Sequence, residues 1–391
     1  MNSMLDVSRE TAASLLEYAN GRAAELLKLT RALVETESPS GDEEGSLAVF
    51  SLLADALNAL DANVRVERIA IPGYGEHLRA NIFDTNKDAR RILLLGHTDT
   101  VYPRGTLPER PYREEMESVY APGIFDMKAN CALAVEALRA CVALKIIPQR
   151  PVVLLLTCDE EAGSFTGRAL VEEESRRAES VLVLEPSAAG GRAKTARKGT
   201  GLFTLTVNGR AAHAGLEPEK GASAVLEMAR QIERLHALND LSAGINVNVG
   251  VVHGGTNANV IAAEARAEID VRFSTMKEAH LIEKELFGLR AFDERVRISI
   301  DGGINRPPLE RNGKVMALYE HARFIAARLD FELGEAQVGG ASDGNFAAAM
   351  GVAVLDGLGI AGDGAHAEHE HIIASDIPRR IALLAALISS L

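Results

Sequence analysis

The stretch PVVLLLTCDEEAGS, residues 151–164, passes from an unbroken apolar run, Val152 to Leu156, through Thr157 and Cys158 into three consecutive acids, Asp159, Glu160 and Glu161. An apolar run without alternation reads as a strand covered on both faces. Two more runs share the pattern: RILLLG (91–96) and SVLVLE (180–185). Between them lies MKANCALAVEALRACVAL (127–144), whose alanine and leucine content favours helix. Strands of this kind separated by helices predict an open α/β sheet, mostly parallel and flanked by helices. In such sheets ligands gather outside the carboxyl ends of the strands.

Each apolar run ends in chemistry. The first leads into GHTDT, with His97 and Asp99 two residues apart and so on one side of an extended chain. The second ends in Asp159, Glu160 and Glu161, and the third in Glu185 before Pro186. Between the first two, APGIFDMKAN sets Asp126 in a turn marked by proline and glycine, at a helix start. Taken singly, His97 reads as a core histidine, Asp126 as an N-cap, and the acidic triplet as a solvated helix opening. Together they gather an imidazole and several carboxylates at one end of one sheet. Carboxylates at that density repel one another and are hard to ionise together. A pair of divalent cations removes the penalty, and His plus carboxylate donors suit zinc, or manganese or cobalt.

The bulk properties agree with an enzyme. A chain of 391 residues exceeds one ordinary core and predicts two domains. The balance of 47% hydrophobic and 25% charged residues excludes a largely disordered chain. A net charge of −13 argues against nucleic acid, which needs a basic footprint. No apolar run is long enough to span a bilayer, so no membrane partner is expected. The N-terminal segment has leucines and alanines at helical spacing and no secretory n-region or h-region. Three cysteines without CxxC spacing suit a reducing compartment, and we expect a cytoplasmic protein.

From about Lys198 the pattern changes. GLFTLTVNG (201–209), INVNVGVV (245–252) and EARAEIDVRF (264–273) alternate, the mark of strands with one covered face. Helical segments fall near 221–238 and 276–289. The expected organisation is a catalytic domain over 1–197 and 311–391, interrupted by a smaller α+β domain over 198–310.

Taken in order, GHTDTV, APGIFDMKAN, TCDEEAGS, VLVLEPS, GRAAHAG and GASDGN resemble the M20 family of dinuclear zinc hydrolases, closest to its glutamate carboxypeptidase branch. The resemblance runs from about Glu37 to the C-terminus. It implies a zinc-dependent exopeptidase-like catalytic domain and two Zn2+ per chain, with Co2+ or Mn2+ as substitutes. Asp126 would bridge the ions, His97 and Glu185 complete one set of ligands, and Glu161 with a late histidine the other. Among His366, His369 and His371, the resemblance implies His366, since the family pattern sets the ligand histidine a few residues before a glutamate, here Glu370, and leaves the other two as surface residues. Glu160 would be the general base and Asp99 the partner that orients His97, with Asp159 left solvated. A cis peptide is implied at Asp126–Met127. The inserted domain would be a lid or dimerisation domain of a homodimer. Its His213 would stabilise the oxyanion, Asn259 and Arg272 would grip a substrate carboxylate, and Arg306 would bind a glutamate side chain.

The activity implied is hydrolysis of an acyl–amino acid amide or short peptide, with removal of a C-terminal glutamate-like residue leading. The alternative is an N-acyl amino acid deacylase of the acetylornithine deacetylase or succinyl-diaminopimelate desuccinylase type. Glu185, rather than aspartate, disfavours the dipeptidase and tripeptidase branches. A third reading, an inactive relative serving as a binding or assembly module, predicts a lost ligand or base; all of them are present.

Overall fold

The computed structural model describes residues 6–84 and 89–391. These form two compact units, one of residues up to Ala196 with Arg311–Val338 and Ser342–Leu391, the other of Arg197–Glu310 with Gly339–Ala341.

The larger unit is built on a six-stranded sheet. Its strand order is Val64–Ile71, Gly75–Ile82, Val152–Thr157, Arg91–His97, Ala178–Val183, Ala353–Leu355. The first two strands form an antiparallel hairpin, and the second also runs antiparallel to Val152–Thr157; the remaining pairings are parallel. The apolar runs are covered on both sides, as their lack of alternation requires. Ile92, Leu94, Val152, Leu154 and Leu156 belong to a core shared with the helices Arg9–Val34, Ala129–Ala143 and Ile377–Ser390, which pack together. Their neighbours Leu93, Leu95, Val153 and Leu155 point the other way and are equally buried. Helix Gly167–Arg177 packs on the strands Ala178–Val183 and Arg91–His97. No helix among the described residues is long and apolar enough to cross a membrane.

Parallel pairing of Arg91–His97 with Val152–Thr157 sets His97 opposite Thr157. The segments that follow, His97–Asp99 and Asp159–Glu161, therefore leave the sheet side by side. On the other flank Leu184 N–H donates to Leu95 O at 2.8 Å, which brings Glu185 to the same rim.

The smaller unit is a four-stranded antiparallel sheet, ordered Asn246–Gly254, Glu264–Phe273, Gly199–Asn208, Arg297–Arg306, with helices Ala224–His236 and Met276–Phe287. One face is a core: Phe203, Leu205 and Val207 meet Ala265, Ala267, Ile269 and Val271. The alternation expected for Asn246–Gly254 does not survive in its second half, where Val251 and Val252 are 41% and 47% exposed. That strand lies at the sheet edge and its register shifts between Val249 and Val251, so the apolar period there carries no burial.

Candidate metal centre

The carboxyl ends of the parallel strands bring five of the expected ligands together. His97, 1% exposed, ends its strand with Nε2 3.1 Å from Asp126 Oδ1 and 3.5 Å from Glu185 Oε1. Its other nitrogen faces Asp99, 3.0 Å from the carbonyl and 3.4 Å from Oδ1. The second oxygen of Asp126 points to His366, whose Nε2 is 3.5 Å away and lies 3.1 Å from Glu161 Oε1. Asp126 thus presents one oxygen to each imidazole. Ligand atoms of His97, Asp126 and Glu161 all fall within 4.8 Å of one another.

The turn carrying Asp126 is fixed from behind by Glu370. This buried carboxylate accepts from the N–H groups of Gly123 (2.8 Å), Phe125 (2.9 Å) and Asp126 (2.9 Å). The peptide Asp126–Met127 is cis. Ala367, next to His366, is held through its carbonyl by Tyr102 Oη at 3.1 Å and Arg110 at 3.3 Å. The loop carrying Glu160 and Glu161 is held by Asp99, which accepts from both of their N–H groups at 3.2 and 3.1 Å. Asp99 therefore orients His97 and the acidic loop with one side chain, and Ser40 donates to it as well, at 2.5 Å. Glu160 is itself 7% exposed.

The electrostatics follow from this crowding. Burial penalises ionised Asp126, yet hydrogen bonds from His366 and His97 hold it well below the usual carboxylate range. Hydrogen bonds to Asp126 and Glu161 lift His366 to about 10. Burial pulls His97 down, but Asp126, Asp99 and Glu185 outweigh it and keep the imidazole above its ordinary value. Burial raises Glu161 and pushes Glu370 up to about 7. Protons on two imidazoles are one way to balance so many acids. Divalent cations are the other, and imidazole nitrogen with carboxylate oxygen is the donor set of zinc, manganese or cobalt. The residues fit such ions.

Asp159 departs from the expectation of a solvated spare. It is fully buried, accepting from Thr166 N (2.6 Å), Thr166 Oγ1 (2.7 Å) and Gly167 N (3.2 Å) at the start of helix Gly167–Arg177. The general preference of acids for helix N-termini applies to this member of the triplet. His369 is exposed and His371 packs against Tyr120 with ring centroids 5.0 Å apart; among the described residues only His366 of the three pairs with the clustered carboxylates. Sequence reasoning passed over His77 and Asp343, both buried. Asp343 accepts from Thr157 Oγ1 at 3.0 Å and from Ser164 Oγ. It stands in the GASDGN motif, which flagged the segment; His77 stands in a charged strand with no local signal.

The remaining expected residues lie in the smaller unit. His213 bridges Val260, next to Asn259, and its Nδ1 accepts from Gly215 N (3.1 Å) and Leu216 N (3.2 Å). A neutral imidazole so held carries its proton on Nε2, free to donate. Arg272 and Arg306 both pair with Thr200, one from each neighbouring strand, and so share a row across the sheet. Arg272 forms a two-pronged ion pair with Asp270 at 2.8 and 2.9 Å.

Comparison with known proteins gives the chain's family. The chain is 29% identical over 384 residues to carboxypeptidase G2 of Pseudomonas sp., covering 96% of this chain and 92% of that one. It is 28% identical over 374 residues to succinyl-diaminopimelate desuccinylase of Delftia acidovorans, covering 90% and 94%. The aminopeptidase PepT of Bacillus cereus shares the fold, with a TM-score of 0.78 at 21% identity over 94% of this chain and 98% of that one. The family model described as Peptidase family M20/M25/M40 matches residues 93–390, from the strand that ends at His97 to the last helix. The chain belongs to that family and is a metal-dependent hydrolase acting on amide bonds.

Proposed function

We propose that this hydrolase holds two zinc ions and removes a C-terminal glutamate-like residue from an acyl–amino acid or short peptide. The observation that carries the two-ion reading is Asp126, with one carboxyl oxygen 3.1 Å from His97 and the other 3.5 Å from His366. His97, Asp126 and Glu185 would hold one ion, Asp126, Glu161 and His366 the other. Bound there, the ions supply Lewis acidity, acidifying water and polarising a carbonyl. Glu160 takes the proton of the attacking water and later delivers it to the leaving nitrogen. Asp99 keeps His97 oriented and fixes the backbone of Glu160, so base and ligand share one anchor. Arg272 and Arg306, in one row with Thr200, suit the two carboxylates of a glutamate-like residue, and Asn259 assists.

Relatedness to carboxypeptidase G2 over nearly the whole chain supports the glutamate reading, and the similar desuccinylase keeps N-acyl amino acid deacylation as the second. Hydrolysis by zinc-loaded protein of a panel of N-acyl amino acids, varied on each side of the amide, separates them. Preference for a free α-carboxylate and a second acid on the amino-acid side supports the first. Equal turnover of α-amidated analogues would refute carboxylate recognition.

The protein is proposed to be a cytoplasmic homodimer, with the smaller unit forming the two-fold interface. His213 would then serve the neighbouring subunit's reaction, its Nε2–H aimed at the developing oxyanion and worth about 10²–10³ in turnover. His213→Ala and Glu160→Ala proteins, each nearly inactive, should recover about a quarter of wild-type activity after subunit exchange, because random two-fold assembly makes about half the dimers hybrids. Confirmed exchange without recovery would place His213 outside the neighbour's reaction.

A further inference from the structure

Three hydrogen bonds link Cys158, His77, Thr166 and Asp159 into a ring that the peptide bond from Cys158 to Asp159 closes. Cys158 N–H donates to His77 Nδ1 at 3.1 Å. That leaves the proton of a neutral His77 on Nε2, 3.0 Å from Thr166 Oγ1, to which it donates. Thr166 Oγ1–H donates in turn to Asp159 Oδ2 at 2.7 Å, and Asp159 is bonded in sequence to Cys158. Every donor in the ring has one acceptor, so the directions are fixed. His77 is fully buried in the strand Gly75–Ile82, and burial lowers its pKa despite the nearby Asp159, Asp343 and Asp99. A ring nitrogen that accepts from Cys158 N–H belongs to the neutral imidazole, the form that burial also favours.

The ring joins the two ends of the loop. Cys158 and Asp159 lie before Glu160 and Glu161, and Thr166 after them. Ser164 N–H closes the same loop on Asp159 O at 2.8 Å. Gly167 is part of the construction: a Cβ there would stand 2.8 Å from Asp159 Oδ1 and 2.8 Å from Thr157 Cγ2. Only glycine lets the helix start close on the carboxylate. Asp159 accepts three hydrogen bonds and faces only donors, so an amide in its place would point an NH2 group at an N–H.

We infer that His77, Thr166 and Asp159 are positioning residues that hold the acidic loop in one conformation, aiming Glu160 at the reacting water and Glu161 at the metal. This rests on the proposed roles of those two glutamates. A ring of this kind ties the general base and a ligand to a buried strand that carries no ligand itself.

The test compares wild type with Thr166→Val, His77→Leu and His77→Gln. Zn2+ affinity is measured by competition with a chromophoric chelator, and kcat and KM on an N-acyl glutamate. Thr166→Val keeps shape and removes the central hydroxyl, and circular dichroism should show it folded. It should weaken Zn2+ binding about 10-fold, the low end of the loss seen when a ligand's own hydrogen-bond partner is removed. Its kcat should fall about as much, with KM nearly unchanged, since a misaimed base harms the chemical step. His77→Gln, whose amide reaches Thr166, should recover part of what His77→Leu loses. Should His77→Leu fail to fold, Thr166→Val decides alone. Folded Thr166→Val protein with wild-type Zn2+ affinity and kcat overturns the inference. If wild type cleaves none of the acyl–amino acids, the substrate reading fails, while the Zn2+ affinities still decide the role of the ring.

Discussion

The strand Val152–Thr157 is buried at every position, whereas Glu264–Phe273 alternates between exposed and buried over most of its length. The difference separates the two units chemically. A strand covered on both faces has no room for charge along its length, so its polar residues collect where it ends. Asp159, Glu160 and Glu161 follow Val152–Thr157 in this way, and His97 ends the neighbouring strand. A strand with one open face spreads charge along itself, as Glu264, Arg266, Glu268, Asp270 and Arg272 do. The first arrangement concentrates acids enough to call for cations. The second leaves single charged side chains in register along an open face.

Substitutions in the two units sharpen this contrast. The largest effect is expected at Asp126→Ala, which should empty both metal positions and abolish turnover, because one carboxylate faces both imidazoles; metal analysis after gel filtration checks it. Glu160→Gln should keep the metal and lower kcat about 10²-fold or more, whereas Glu161→Gln should weaken metal binding. Reversed phenotypes would exchange the two roles.

Stability should divide along the same line. Leu154→Ala, at a fully buried site, should cost about 2–5 kcal/mol in denaturant unfolding. Glu268→Ala, on the open face of its strand, should stay within about 0.5 kcal/mol. Comparable losses at both would mean that the open face is covered in solution. The smallest effect concerns the thiols. Cys131, Cys141 and Cys158 are buried and unpaired, and burial pushes each up to about 12. A thiol reagent at neutral pH should leave all three unmodified until the chain unfolds.

The parallel core was legible because its signal is local: an apolar run without alternation means two covered faces wherever the chain places it. The strands Val64–Ile71 and Gly75–Ile82 escaped notice, since arginines, glutamates and a histidine interrupt their apolar residues. They pair by contacts that no period announces. The residues proposed as ligands were open to notice because each follows a strand end or a marked turn. The residues that hold them were not. Asp159 read as solvated because nothing in DEE distinguishes an acid facing a metal from one facing backbone donors, and His77 acquires its role only through residues more than eighty positions away. Sequence shows which groups are present; partners distant in sequence decide which of them are buried.

The most direct test of the account is the metal content of fully active protein. Protein reconstituted with Zn2+, freed of loose metal and measured for activity on its best acyl–amino acid, should hold two ions per chain, and activity should vanish on chelation and return on readdition. One ion per chain at full activity, or activity that survives complete metal removal, would contradict it.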